Sequence, residues 1–386
     1  MTELHFNPMA GGRPVGATAA IMDGLRAEHR AFYSTYGKGF WVLTRYEDVL
    51  AALQNPELFS NSSVTALDPD PPYRWIPEML DPPEHTAWRR LLRPHFTPAA
   101  AKAREPRLRE HCRTLIAGLR ERGGCDFVAD FATPFPSVIF LELMGLPVER
   151  LETFLEWERT ILHGPPSVTS GRLDAMGEVV GMFAELIEQR RAEPGDDLLS
   201  DALTWRLEGE PIPEDELLSM CLLLFMAGLD TVTSQLSYAF WHLAAHPADQ
   251  EALRADPALI PSALEEFARA YSIVLPGRKV TRDTEFAGCP MKAGDMVMLP
   301  LTSINRDADA FPDPQKVDLR RERNRHLGFA AGPHRCLGSH LARTEITIAL
   351  EEWHRAIPAY RLSPHEEAVE HAYGLMGLDT LPLVWD

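Results

Sequence analysis

The sequence predicts a mainly α protein, a single domain over residues 1–386, with a small β-rich portion. Apolar residues recur at i, i+3 and i+4 through several long segments, the spacing of one buried helix face. Strand-like stretches are few and short. The 32 prolines gather at segment boundaries and in loops such as Asp81-Pro82-Pro83, His246-Pro247 and Phe311-Pro312-Asp313-Pro314, where a missing N–H costs little. No internal repeat, low-complexity tract or linker divides the chain.

In chain order, Phe40–Leu43 (FWVL) is expected to be a strand and 45–55 (RYEDVLAALQN) an amphipathic helix. Helices are expected over 102–122 and 173–192. The segment 214–245 opens on Pro213-Glu214-Asp215-Glu216, with proline in the first turn and acids at the positive end of the helix dipole. It is expected to run to Pro247 as one helix of roughly thirty residues. Its first half is apolar all round and should be buried on every side. The apolar stretch Leu217–Leu229 is too short for a bilayer, which needs about 20 residues. In the middle, Ala227-Gly228-Leu229-Asp230-Thr231 places residues that propensity alone would not put there. Helices over 261–271 and 337–356 follow. Short strands are expected at Lys279–Val280 with Thr284–Phe286, at Met296–Leu299 and at Leu381–Trp385, so the β-rich part lies mainly in 37–70, 278–300 and 370–386.

Composition narrows the function. At 45% hydrophobic and 24% charged, the 386 residues carry enough apolar side chains for a large core, which excludes disorder as the main state. A net charge of −18 argues against non-specific nucleic-acid binding and against an anionic membrane surface. The first residues lack a basic region leading into an apolar one, so no signal peptide is expected. Cys112, Cys125, Cys221, Cys289 and Cys336 are odd in number, widely spread and without a CxxC pair, so neither a disulfide framework nor a zinc cluster follows. A soluble, cytoplasmic monomer is expected.

One cysteine stands apart. Cys336 lies in Phe329-Ala-Ala-Gly332-Pro-His334-Arg335-Cys336-Leu-Gly338, just before the amphipathic SHLARTEITIALEEW. It should sit at a helix N-terminus, where the dipole and free N–H groups favour thiolate. Gly332 and Gly338 let the backbone approach a flat ligand, and Phe329 supplies an aromatic wall.

The pattern F-x-x-G-x-H-x-C-x-G resembles the haem-binding loop of the cytochrome P450 monooxygenases. The resemblance implies that fold, with a long central helix over haem b, and makes Cys336 the axial thiolate of the iron. Glu266-Phe-Ala-Arg269 resembles the family's E-x-x-R ion pair, a structural support for the haem loop. Ala227–Thr231 resembles the oxygen-activating stretch of the central helix. A mid-helix Thr bonds back to the carbonyl four residues earlier, here Ala227, and opens the helix locally. The resemblance then makes Thr231 the hydroxyl donor to dioxygen and Asp230 the carboxylate that relays solvent protons. Asp81-Pro-Pro-Glu84-His85-Thr-Ala-Trp88-Arg89 resembles the propionate-binding helix, with His85 and Arg89 on one face, while Arg278 and His334 match other propionate-contacting positions.

The likeness spans nearly the whole chain, is nearest to soluble bacterial members, and includes short strings similar to the camphor-hydroxylase branch. It implies a substrate site at Tyr73, Leu223, Met226, Ala227, Val274, Leu275, Leu375 and Met376, for a small, mostly apolar molecule. Hydroxylation, with a terpenoid as one substrate class, or O-dealkylation of an aromatic metabolite follows from the same haem chemistry. Electrons would pass from NAD(P)H through a reductase and a ferredoxin. From His85 to Arg113 eight Lys and Arg face two Glu, a local excess of positive charge on an acidic chain. Arg89, Arg90, Arg93, Arg104, Arg107 and Arg335 are the expected docking residues. A non-catalytic haem sensor would keep Cys336 without needing Asp230-Thr231. A hydrolase or dehydrogenase would need a G-x-S-x-G, G-x-G-x-x-G, Walker or HExxH motif, and none is present.

Overall fold

A computed structural model describes residues 2–163, 170–357, 359–373 and 375–386, so residue 374 of the expected β region 370–386 lies outside it. The architecture is mainly helical with small sheets. The strongly periodic segments form helices close to the expected bounds: Tyr46–Leu53, Pro98–Leu119, Ser170–Ala192, Ile260–Ala270 and Ser339–Ala356. Further helices, Ala17–Glu28, Pro134–Met144, Leu151–Leu162 and Pro247–Ala255, lay outside the sequence expectation. Pro134–Met144 shows why. Nine of its side chains are buried, so no polar face marks its period.

The expected single helix over 214–245 is two. Glu214–Leu229 and Thr231–Ala245 meet at Asp230, whose φ of −112° and ψ of −30° leave the ladder at one residue. The pair joins two cores. Leu217 to Leu229 pack with the helices Pro134–Met144, Leu151–Leu162 and Ser170–Ala192. From Val232 onward the chain packs instead against Phe127, Phe131 and Trp353, and Phe240 stacks on Phe127 at 4.1 Å. A Cβ on Gly228 would stand 2.2 Å from the Phe140 ring, so glycine permits the close approach of the neighbouring helix. The most apolar 18-residue window of Glu214–Ala245 has a mean hydropathy of 1.7 and is 61% buried within the protein.

The largest sheet orders six strands as Glu3–Leu4, Ala31–Ser34, Phe40–Leu43, Met296–Met298, Gly277–Val280 and Phe59–Ser60. Its register sets Tyr33 opposite Trp41 and Met298 opposite Gly277. A second sheet pairs Val369–Ala372 with Met376–Thr380 and with Ala10–Pro14; a third joins Pro382–Val384 to Gly124–Asp126 and Arg361–Leu362. The β-rich portion therefore draws on residues before 37 and on 124–126 as well as on the expected regions. These strands are two to five residues long, too short for an alternating pattern to register in sequence.

Candidate active site

A cavity of about 460 Å³ lies between the central helix pair and the loop before the helix Ser339–Ala356. On one side stand Phe329, His334, Cys336, Leu337 and Gly338; across from them stand Leu223, Met226, Ala227, Gly228 and Thr231. The loop is closed by the Cys336 N–H donating to the Phe329 carbonyl at 2.9 Å. Gly332, with φ of 71°, brings its backbone so close to Leu53 that a Cβ would meet that carbonyl at 2.2 Å. This glycine therefore answers to the protein backbone, whereas a flat ligand was expected to require it. The Arg343 guanidinium lies 4.2 Å from the centre of the Phe329 ring and orients it.

Cys336 opens onto the cavity, three residues before the first helical residue, Ser339. Burial pushes its thiol up, against the opposing pull of the Gly338 N–H and the Arg89 charge. Here the expectation of a favoured thiolate fails, because desolvation outweighs the helix end. A metal ion would reverse that balance, since a coordinating thiol is deprotonated outright.

The expected propionate donors converge on one edge of the cavity. His85 and His334 are 2% and 6% exposed, and their ring centroids lie 3.9 Å apart. All four of their ring nitrogens are buried without a hydrogen-bond partner among the described residues. Burial, then the neighbouring His334 and Arg89, lower His85 to about 4. Arg278 is buried on the cavity wall and donates to its own neighbour's carbonyl, Gly277, at 2.7 Å. Arg89, also on the wall, donates to the Arg335 carbonyl at 2.6 Å. Buried donors this poorly satisfied are costly unless acceptors arrive. Two carboxylates beside a thiol are the acceptors a haem brings, and this residue set fits that group.

Glu78, which sequence reading missed, also lines the cavity, 3.9 Å from His334. Burial works against its charge, yet His334, Arg278 and Arg89 outweigh it and hold its carboxyl below the usual range.

Glu266 and Arg269 are both wholly buried, which removes the reading of an ordinary surface pair. Two parallel bonds of 2.8 Å join them. Arg269 also donates to the carbonyls of Asn305, Pro314 and Lys316, and Glu266 accepts from Arg321, Asn324 and the Asp318 N–H. The pair thus pins the chain leading into the cysteine loop.

On the opposite side Thr231 donates to the Ala227 carbonyl at 3.0 Å, the back-bond expected from sequence. The helix does restart here, but Asp230 makes no side-chain cap bond. Its Oδ2 instead meets His163 Nε2 at 3.1 Å, with Glu158 3.7 Å from the same nitrogen. His163 lies 67 positions before Asp230, too far for any local pattern to join them.

Of the expected substrate residues, Leu223, Met226, Ala227, Val274, Leu275 and Leu375 stand on the cavity wall. Tyr73 and Met376 stand behind it. The Tyr73 ring stacks at 4.8 Å on Trp75, which lines the cavity, and its hydroxyl accepts from Arg172 Nη2 at 3.0 Å. Met376, the first residue of the strand Met376–Thr380, packs into the core.

The basic run lies on the helices Glu84–Leu92 and Pro98–Leu119, the second packed against the helix Ser339–Ala356. Arg107 pairs with Glu142 and Glu110, Arg109 with three glutamates and Arg113 with Glu352. Arg104 is half-buried and bonds to the carbonyls of His95 and Ala100. Arg90, Arg93, Lys102 and Arg335 are exposed and make no ion pair among the described residues.

The family model described as cytochrome P450 matches residues 156–378. The probable cytochrome P450 127A1 of Sinorhizobium fredii is 36% identical, over all of this chain and 93% of its own length. The mycinamicin IV hydroxylase/epoxidase of Micromonospora griseorubida is 34% identical over 91% of this chain and 90% of its own length. The crystal structure of CYP101J2 superposes with a TM-score of 0.90 at 31% identity, covering all of this chain and 97% of that one. A thiol, buried imidazole nitrogens with no partner among the described residues and a broken central helix around one cavity agree with these likenesses, and the chain belongs to the cytochrome P450 family of monooxygenases, oxidoreductases that use haem b and dioxygen.

Proposed function

We propose that the chain inserts one oxygen atom from dioxygen into a small, mostly apolar substrate, with electrons from a ferredoxin docked beside the cysteine loop. The observation that carries this is a single cavity with the Cys336 thiol and unpaired buried donors on one side and the Thr231 helix break on the other. Cys336 is the residue to ligate iron, and His85, Arg89, Arg278 and His334 are the donors for the propionates. Haem, when bound, supplies the activation of dioxygen.

The chain's own residues do the rest. Thr231 Oγ1 sits at the cavity wall, where its hydroxyl, on leaving the Ala227 carbonyl, would be free to donate into the cavity. Asp230, facing away from the cavity, passes protons toward that hydroxyl. Leu223, Met226, Ala227, Val274, Leu275 and Leu375 exclude water and orient the substrate by shape. Tyr73 contributes through Trp75 and Arg172, holding the far wall in place. The apolar lining suits a terpenoid, and hydroxylation is the reaction that such a substrate without an ether would undergo. The relatives' names span different substrates, so the wall decides.

A spectral titration of the ferric holoenzyme against terpenoids, aromatic ethers and steroids tests this. A terpenoid is expected to displace water and shift the spin state at micromolar concentration. A response confined to aromatic ethers would move the reaction to O-dealkylation, and no response to any apolar compound would overturn the substrate reading.

A further inference from the structure

His163 follows the helix Leu151–Leu162 and reaches under the break between the two central helices. The side chains of His163 and Asp230 are each 13% exposed, and that of Glu158 is 6% exposed. One donor atom from each of the three lies within 4.8 Å of the others. Glu158 Oε1, 3.7 Å from His163 Nε2, has no hydrogen-bond partner among the described residues. Around His163 stand Glu158 and Arg159 from its own helix, Asp230 from the central pair, and His371, Tyr373 and Asp379 from the C-terminal strands. The His371 ring lies edge-on at 4.6 Å, and its Nδ1 is 2.8 Å from Asp379.

This arrangement has a direct consequence for Asp230. Its carboxylate makes no cap bond, and among the described residues its one side-chain hydrogen-bond partner is His163. A carboxylate on a one-residue helix break, without that partner, would turn among rotamers and lose its alignment with Thr231. We propose that His163, held between Asp230 and Glu158, is the positioning residue of the proton relay, fixing the Asp230 carboxylate in place beside Thr231. The proposal rests on the assignment of Asp230 and Thr231 made above.

The charge state follows from the same contacts. Burial lowers the imidazole's proton affinity, but the hydrogen bond to Asp230 and the nearby Glu158 carboxyl outweigh it and raise His163 to about 10. The clamp is therefore complete below the ordinary imidazole value of 6.5 and is lost only as pH rises through about 10. Burial pushes the Glu158 carboxyl up while His163 pulls it down, and replacing it removes one of the two carboxyl groups facing the imidazole, so the loss moves down toward neutral pH.

Two measurements on the holoenzyme test this. In the reduced carbon monoxide complex, which is diamagnetic, the ¹⁵N signals of His163 should not titrate across neutral pH. Asp230→Asn and Glu158→Gln should each bring its titration down by about one unit or more. Product formed per NAD(P)H should fall about tenfold in His163→Gln, with hydrogen peroxide making up the difference. His163→Arg, which keeps the cation, should restore most of it, while spin-state titration shows unchanged substrate affinity in both. Glu158→Gln should couple normally in mild acid and uncouple in mild base. The proposal is overturned by a wild-type His163 that titrates near its ordinary value, or by His163→Arg uncoupling as fully as His163→Gln. Failure of the relay assignment reads differently: Asp230→Asn and Thr231→Ala would then leave coupling untouched.

Discussion

Cys336 shows how a side chain can be placed for a role that a ligand completes. Its thiol is pushed up by burial, so the protein alone does not stabilise the anion. The neighbouring His85 and His334 likewise have four ring nitrogens without a partner among the described residues. Each feature is unfavourable in isolation, and together they describe a cavity whose cost is offset when one ligand brings a metal and two carboxylates. Cys336→Ser replaces a thiol that a metal deprotonates with a hydroxyl that resists it. The purified variant should hold well under half the wild-type haem, and its reduced carbon monoxide complex should lack the red-shifted Soret band. A variant that keeps this band would show that another residue is the ligand.

At the scale of elements, the helix Ile260–Ala270 is held to the loop segments ahead of the cysteine by a fully buried ion pair. Arg269 satisfies three carbonyls in addition to Glu266, so it works as a bracket across chain segments distant in sequence. Arg269→Met leaves those carbonyls bare and deprives Glu266 of one partner, although Arg321 and Asn324 remain. A loss of about 3 kcal/mol is expected, the low end for breaking a buried pair. Urea unfolding should show an earlier midpoint together with weaker haem retention, and an unmoved midpoint would refute the bracket. The central helix pair makes a complementary point. Its break at Asp230 falls where packing passes from one core to the other.

Across the whole molecule, charge is unevenly spread. The chain carries −18, yet Arg90, Arg93, Lys102 and Arg335 stand exposed and make no ion pair among the described residues. Arg107, an equal choice by sequence, is already paired with Glu142 and Glu110. Arg93→Glu should slow reduction by an acidic ferredoxin about tenfold at low salt and flatten its salt dependence, since steering acts on the encounter. Arg107→Glu should matter less. Stopped-flow reduction at several ionic strengths checks both, and equal effects would show that ion pairing does not select the docking residues.

Read alone, the sequence determined the mainly helical class, the cysteine loop, the E-x-x-R pair and the Ala227–Thr231 stretch. Each is a local pattern, carried by periodicity or by spacing within ten residues. Tertiary structure alone decided what those groups meet. It placed Glu78 on the cavity wall, set Tyr73 and Met376 behind it, neutralised Arg107 and brought His163 to Asp230 across 67 positions. It also broke the central helix and built strands too short to show an alternating pattern. The reason is physical: spacing along a chain encodes which face a residue takes on its own element, while burial and pairing depend on which distant element arrives to cover that face.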